Sequence, residues 1–252
     1  MTTTFSVFGD SRTHIGSRHA LIAPDGQVPS RLPGIDKATV VVLISKEMGA
    51  RFTQLLLTFQ ADGSATFASN DTEAFAYVLR GSVRAEVSGT RYSFDRGSYL
   101  FVPAGQAWHL NEPSEGTELN MFFKKYALLE DLAPPEPFAG HESEVTGQPF
   151  LGDEDARLQT LLPDHASFDM AVNIFNYKSG ACLPFVETHI MEHGLLMLDG
   201  KGIYRLEDRW YPVAAGDCIW MAPYCPQWFT AMGKSPARYL YYKDVNRPVL
   251  PR

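Results

Sequence analysis

Cysteine is scarce in this sequence: three in 252 residues, Cys182, Cys218 and Cys225, with no CxxC spacing. An odd, dispersed set fits neither a disulfide framework nor a zinc knuckle, which leaves buried free thiols as the expected state. No run approaches the roughly 18 apolar residues of a membrane span. The opening MTTTFSVFGDSRTH has no basic stretch leading into an apolar one, so no export leader is expected and the reading is a cytoplasmic protein without a membrane partner. Lys and Arg never gather into a block, and the formal net charge is -7. That excludes the electrostatic footprint of a nucleic-acid binder. Signals for long helices are also few.

What the chain has instead is aromatic and β-branched residues, including 16 Phe and 11 Tyr, in short runs punctuated by Gly, Pro, Asn and Asp. Such spacing predicts an all-β sandwich or barrel. A first set of runs comprises residues 40–44, 51–59, 75–79, 83–87 and 99–102. A second comprises 170–177, 194–198, 203–206, 219–221 and 238–242. Between the sets, APPEPFAGHESEVTGQP reads as a linker by its Pro, Gly and acidic content. The expected organisation is therefore an N-terminal domain over 1–132, a linker over 133–149 and a C-terminal domain over 150–252.

The two halves share a repeat. YVLRGSV at Gly81 matches LMLDGKG at Gly200, and Gly97 matches Gly216, both pairs 119 residues apart. Glycine at a strand end supplies the positive φ that a tight hairpin needs, so these pairs mark the same two turns in each copy. Two tandem barrels of this kind resemble a bicupin, two jelly-roll domains each wrapping antiparallel sheets around a cavity.

Just before Gly200 stands FVETHIMEHG. Residues two apart on an extended segment point to one face, so Glu187 and His189 can converge, and His193 returns from the next strand after a short turn. Two imidazoles and a carboxylate suit Fe(II), Mn(II) or Zn(II) better than Ca(II) or Mg(II). A zincin reading fails, because HIMEH lacks Glu in the second position. Glu192 is expected as a solvated carboxylate. The cupin spacing pattern places Glu187, His189, His193 and Gln227 at its four ligand positions, with ligand types permuted. The 119-residue offset carries these onto Ala68, Asn70, Ala74 and Trp108, none able to build a metal site. The N-terminal domain is therefore expected to be metal-free, its pocket filled by side chains such as Trp108 and Phe75, with His109 an ordinary hydrogen-bonded histidine.

The stretches VETHIMEHG, GKGIYRLEDRWYPVAAGDCIWMAPYCPQWF and RYLYYKDVNRP, with RHALIAPDGQVPS near the start, resemble the (S)-ureidoglycine aminohydrolase family. The resemblance covers nearly the whole chain. It implies a bicupin hydrolase that releases ammonia from (S)-ureidoglycine to give (S)-ureidoglycolate in allantoin and purine breakdown. It also implies Mn(II) on Glu187, His189, His193 and Gln227, with Tyr239, Lys243 and Glu187 handling substrate and ammonia. From parity alone, Tyr239, Tyr241 and Lys243 share one strand face, which could look into the barrel.

Two other readings stay open at this point. A two-His-one-carboxylate set would serve an Fe(II) dioxygenase, and a bicupin can be a plain small-molecule binding protein. Under any of them the partners expected are a small molecule and, because edge strands need covering, further copies of the chain in a homo-oligomer.

Overall fold

The computed structural model describes residues 10–129 and 131–247; the first nine residues, on which the leaderless reading partly rests, lie outside them. The described chain is built of β-strands with three short 3-10 turns and no α-helix. No helix among the described residues is long and apolar enough to cross a membrane. The architecture is all-β and bicupin, as the runs and the repeat predict.

The repeat extends well beyond the glycines. Strands Ser82–Val87, Thr90–Asp95 and Glu118–Lys125 are followed 119 residues later by Lys201–Leu206, Arg209–Ala214 and Ala237–Asp244, with equal lengths. Gly81 and Gly200 have φ of 77° and 76°, and Gly97 and Gly216 have 91° and 93°. Even the turn bond is duplicated: Gly97 N–H donates to Val78 O and Gly216 N–H to Met197 O, both at 2.9 Å.

The chain divides into two compact units, but not at a single linker. One comprises 29–146, 161–171 and 244–247. Its nine-stranded sheet encloses an apolar core with Leu57, Ala74, Ala76, Leu119 and Trp108. Trp108 stacks on Phe67 at 4.3 Å, which fills the interior. Phe75, expected there too, lies on the opposite face by strand alternation and stacks on Tyr99 at 5.6 Å. Part of the expected linker is structured, because Phe138–His141 pairs with Ser98–Val102 as an edge strand. Its Pro- and acid-rich flanks hid four residues that pair along one edge with that ladder.

The other unit comprises 10–28, 147–160 and 172–243. Its sheets run in the orders 14–15, 19–22, 218–221, 193–199, 237–244, 170–177, 153–160, 148–150 and 209–214, 201–206, 227–231. An N-terminal arm is thus part of this unit: His19–Ile22 pairs antiparallel with Cys218–Met221. Arg12 pins the same arm with two 2.7 Å bonds to the buried Asp217. Composition did not signal this addition, since a four-residue strand carries little pattern of its own.

Candidate active site

Inside the second unit the two sheets leave a cavity of about 140 Å³. The segment through Glu187 runs beside Gln227, with reciprocal backbone bonds of 2.9 Å between the two residues. His193 opens strand His193–Asp199 and sits opposite Lys243 of strand Ala237–Asp244. Tyr239, Tyr241 and Lys243 alternate along that strand, and all three side chains line the cavity. The structure therefore brings Glu187, His189, His193, Gln227, Tyr239 and Lys243 to one place, from four separate stretches of chain.

The imidazoles are tightly placed. His193 Nδ1 lies 3.1 Å from Tyr242 O, and a carbonyl only accepts, so Nδ1 carries the proton and Nε2 presents its lone pair. Burial, then the neighbouring His189, lowers the His193 pKa to about 3, which keeps the ring neutral. Its Nε2 faces His189 Nε2 at 3.2 Å, and Gln227 Nε2 approaches the same His189 atom at 2.9 Å. Three nitrogens thus converge with an electrostatic conflict. If His189 Nε2 accepts from the amide, two lone pairs face each other; if it is protonated, two N–H groups do. Turning the Gln227 amide to present oxygen, an assignment equally compatible with its shape, relieves the conflict and also aims an oxygen and the imidazole nitrogens at one point where a cation could be held.

Separations of 2.9 and 3.2 Å also suit neighbouring ligands of one ion, since metal–nitrogen bonds near 2.1 Å at right angles put donors about 3 Å apart. The donors fit a divalent transition metal. Among the described residues no group of three or more His, Cys, Asp or Glu gathers as a metal cluster. Here the close set is two imidazoles and an amide, with the Glu187 carboxyl on the same cavity wall. Burial raises the Glu187 pKa and the Lys243 charge works against that rise.

Aromatic hydroxyls, most of which the sequence did not single out, line the floor. The Tyr204 hydroxyl lies 3.4 Å from the Gln227 amide and can pair with either of its ends, and the Tyr239 and Tyr177 hydroxyls meet at 3.0 Å. Burial raises the pKa of all three tyrosines, so they act as neutral hydrogen-bonding groups. Tyr204 was findable by parity, as it shares the inward face of Lys201–Leu206 with Gly202 and Leu206. Glu192, expected in solvent, is instead 1% exposed and accepts from Trp220 Nε1 at 2.8 Å. A tight turn places it on the face of the sheet that Trp220 covers, and the indole satisfies it.

No protein-family model matches the chain. A probable (S)-ureidoglycine aminohydrolase of Oryza sativa subsp. japonica is 38% identical over 96% of this chain and 78% of its own length. The (S)-ureidoglycine aminohydrolase of Escherichia coli strain K12 is 33% identical over 91% of this chain and 89% of its own. Among solved structures, the YlbA protein of E. coli superposes with a TM-score of 0.86 at 30% identity, covering 96% of this chain and 97% of that one. An oxalate decarboxylase of Bacillus subtilis shares the fold alone, with a TM-score of 0.71 at 11% identity over 94% of this chain and 80% of its own.

Proposed function

The chain belongs to the (S)-ureidoglycine aminohydrolase family, and from that membership we propose that it hydrolyses (S)-ureidoglycine to (S)-ureidoglycolate and ammonia, in purine breakdown through allantoin, in the cavity of its second unit. The observation that carries the reading is the convergence of Glu187, His189, His193, Gln227, Tyr239 and Lys243 on that cavity. The proposed ligands of a divalent ion, Mn(II) by family, are Glu187, His189, His193 and Gln227. The other unit, with Ala68, Asn70, Ala74 and Trp108 at the corresponding positions, is proposed to hold none.

In the reaction the carbon–amine bond breaks and a carbon–oxygen bond to water forms; one hydrogen of the water stays on the new hydroxyl and the other leaves with ammonia. A bound divalent cation would supply the positive charge that fixes the substrate carboxylate and a neighbouring heteroatom, and with them its handedness. Lys243 binds the substrate carboxylate from the cavity rim. Tyr239, neutral and held by Tyr177, orients the departing nitrogen by a hydrogen bond. Glu187 moves the proton from water to that nitrogen, its pKa poised between burial and the Lys243 charge. The apolar walls, Phe150, Phe175 and Met221 among them, keep bulk water from the reacting carbon. We place the enzyme in the cytoplasm as a homo-oligomer.

The test is an ammonia-release assay on substrate generated in place from allantoate, with metal-stripped protein, with and without Mn(II), alongside Glu187→Ala. Mn(II)-dependent, enantiospecific product that the variant abolishes supports the reading. Racemic product at the spontaneous rate in every sample overturns it.

A further inference from the structure

The loop 222–226 lies between strand Cys218–Met221 and Gln227, and its middle residue is unusual. Tyr224 has φ of 61°, a left-handed conformation that is costly for a bulky side chain. The residue is 54% exposed, so core packing does not hold it there. Hydrogen bonds on both of its peptide groups do. Tyr224 N–H donates to His189 O at 2.7 Å, and the Tyr224 carbonyl accepts from Arg18 Nη2 at 2.5 Å.

Arg18 comes from the N-terminal arm, at the end of the ladder that joins His19–Ile22 to Cys218–Met221, where Arg18 O accepts from Ala222 N at 2.9 Å. Its guanidinium also reaches Glu207 Oε1 at 3.5 Å. Glu207 N–H in turn donates to Pro226 O at 2.8 Å, one residue before Gln227. One side chain therefore joins the loop that leads into Gln227 to the turn that follows its strand partner Leu206, and through Tyr224 fixes the backbone that carries His189.

We infer that Arg18 is a positioning residue of the active site: by clamping Tyr224 in its left-handed conformation it sets the backbone of His189 and the approach of Gln227. The inference rests on the site reading given above, and it assigns the N-terminal arm a part in the chemistry of a site more than 160 residues further along the chain. Supporting groups of this kind are worth about 10–100-fold in metal affinity or activity.

The experiment compares wild type, Arg18→Ala, Arg18→Lys and the double variant Arg18→Ala/Tyr224→Gly. Arg18 is 45% exposed at its side chain and its backbone ladder remains, so the alanine variant keeps the fold. The first readout is amide hydrogen exchange at residue 224 in metal-free protein; the second is Mn(II) affinity by calorimetry. Arg18→Ala should exchange about 10-fold faster at that amide and bind Mn(II) about 10-fold more weakly, with Lys restoring part of both. Glycine, which adopts positive φ without strain, should restore Mn(II) affinity in the double variant. Unchanged exchange and unchanged affinity in Arg18→Ala would overturn the inference. Because exchange at residue 224 needs neither substrate nor metal, that failure is distinguishable from a wild-type protein that simply does not hydrolyse ureidoglycine.

Discussion

Tyr177 and Tyr239 share a hydrogen bond of 3.0 Å between buried hydroxyls, and of the two Tyr239 lines the cavity. Each hydroxyl has had its water removed, so the pair satisfies two groups that would otherwise cost about 1–3 kcal/mol apiece. Tyr177→Phe leaves the ring packing in place and deletes only the partner. We expect kcat to fall about 3–10-fold with KM nearly unchanged, since the bond orients Tyr239 and does not touch substrate; the loss corresponds to about 1 kcal/mol of a neutral hydrogen bond. Equal kinetics in steady-state assays would remove Tyr177 from the site.

Gln227 is the one proposed ligand that is neither acidic nor basic, and its amide lies 2.9 Å from His189 Nε2. Gln227→Ala is expected to weaken Mn(II) binding at least about 10-fold by calorimetry, while its backbone bonds to Glu187 preserve the fold. Adding Mn(II) in excess should then recover much of the activity. Loss of activity that no concentration of Mn(II) repairs would show that the amide acts on substrate alone.

Lys243 stands opposite His193 at the cavity wall. If it binds the substrate carboxylate, Lys243→Met removes the charge and keeps the aliphatic stem, and KM should rise about 10-fold or more from the loss of a charge-assisted contact. Initial-rate measurements over a wide substrate range decide this. A fall in kcat with KM unaltered would instead place the ammonium at the leaving nitrogen.

The other unit contains a buried acid whose titration affects stability. Glu73 is 0% exposed and no N–H or O–H donor reaches its oxygens. Burial, then the hydrogen bond and charge of Asp169, raises its pKa to about 10, with Lys124 and Arg247 opposing. Asp169 itself is held below the usual range, burial being outweighed by Glu73, Lys124 and the Ala127 N–H. Folded protein therefore keeps a proton on Glu73 that the unfolded chain releases above about pH 4.5. Stability from this group falls as pH rises from that point towards 10, by at most about 1.4 kcal/mol per pH unit. Glu73→Gln is neutral at every pH, so the gap in urea midpoint between variant and wild type should widen in favour of the variant from pH 5 to 9. A constant gap would mean that Glu73 is ionised in the folded state.

Much of this was legible beforehand for a physical reason: a duplicated barrel repeats its turns, and turn glycines are visible in one sequence. The strand Met170–Tyr177, MAVNIFNY, was read to the residue because its apolar and aromatic residues, broken only by Asn173 and Asn176, stand between turn signals. The convergence of Glu187 with His189 followed from strand parity, and Gln227 from spacing after Gly216. What stayed hidden depends on long-range pairing. Neither the arm His19–Ile22 nor the edge strand Phe138–His141 has a pattern distinct from a loop; each is a strand because a neighbouring ladder offers it partners. Tyr177 could be placed on a strand, but its meeting with Tyr239, 62 residues away, could not.

Gly200 allows the sharpest stability test of the repeat. It turns the chain between His193–Asp199 and Lys201–Leu206 with φ of 76°, and a Cβ there would stand 2.3 Å from Pro236 O and 2.7 Å from Ala237 Cα. Both obstacles are backbone or bonded to it, so neither can swing aside. Gly200→Ala therefore meets a left-handed penalty of about 1–2 kcal/mol together with a contact that must displace a strand. We expect a total loss of about 3 kcal/mol or more in urea unfolding, with the displacement falling on Ala237 and reaching Tyr239 two residues on. Gly89, with φ of 83° but nothing within 4 Å of an added Cβ, is the control: Gly89→Ala should lose only the conformational part, about 1–2 kcal/mol, and leave catalysis untouched. If the two variants lose stability equally, close packing against residues 236 and 237 is not what fixes glycine at position 200.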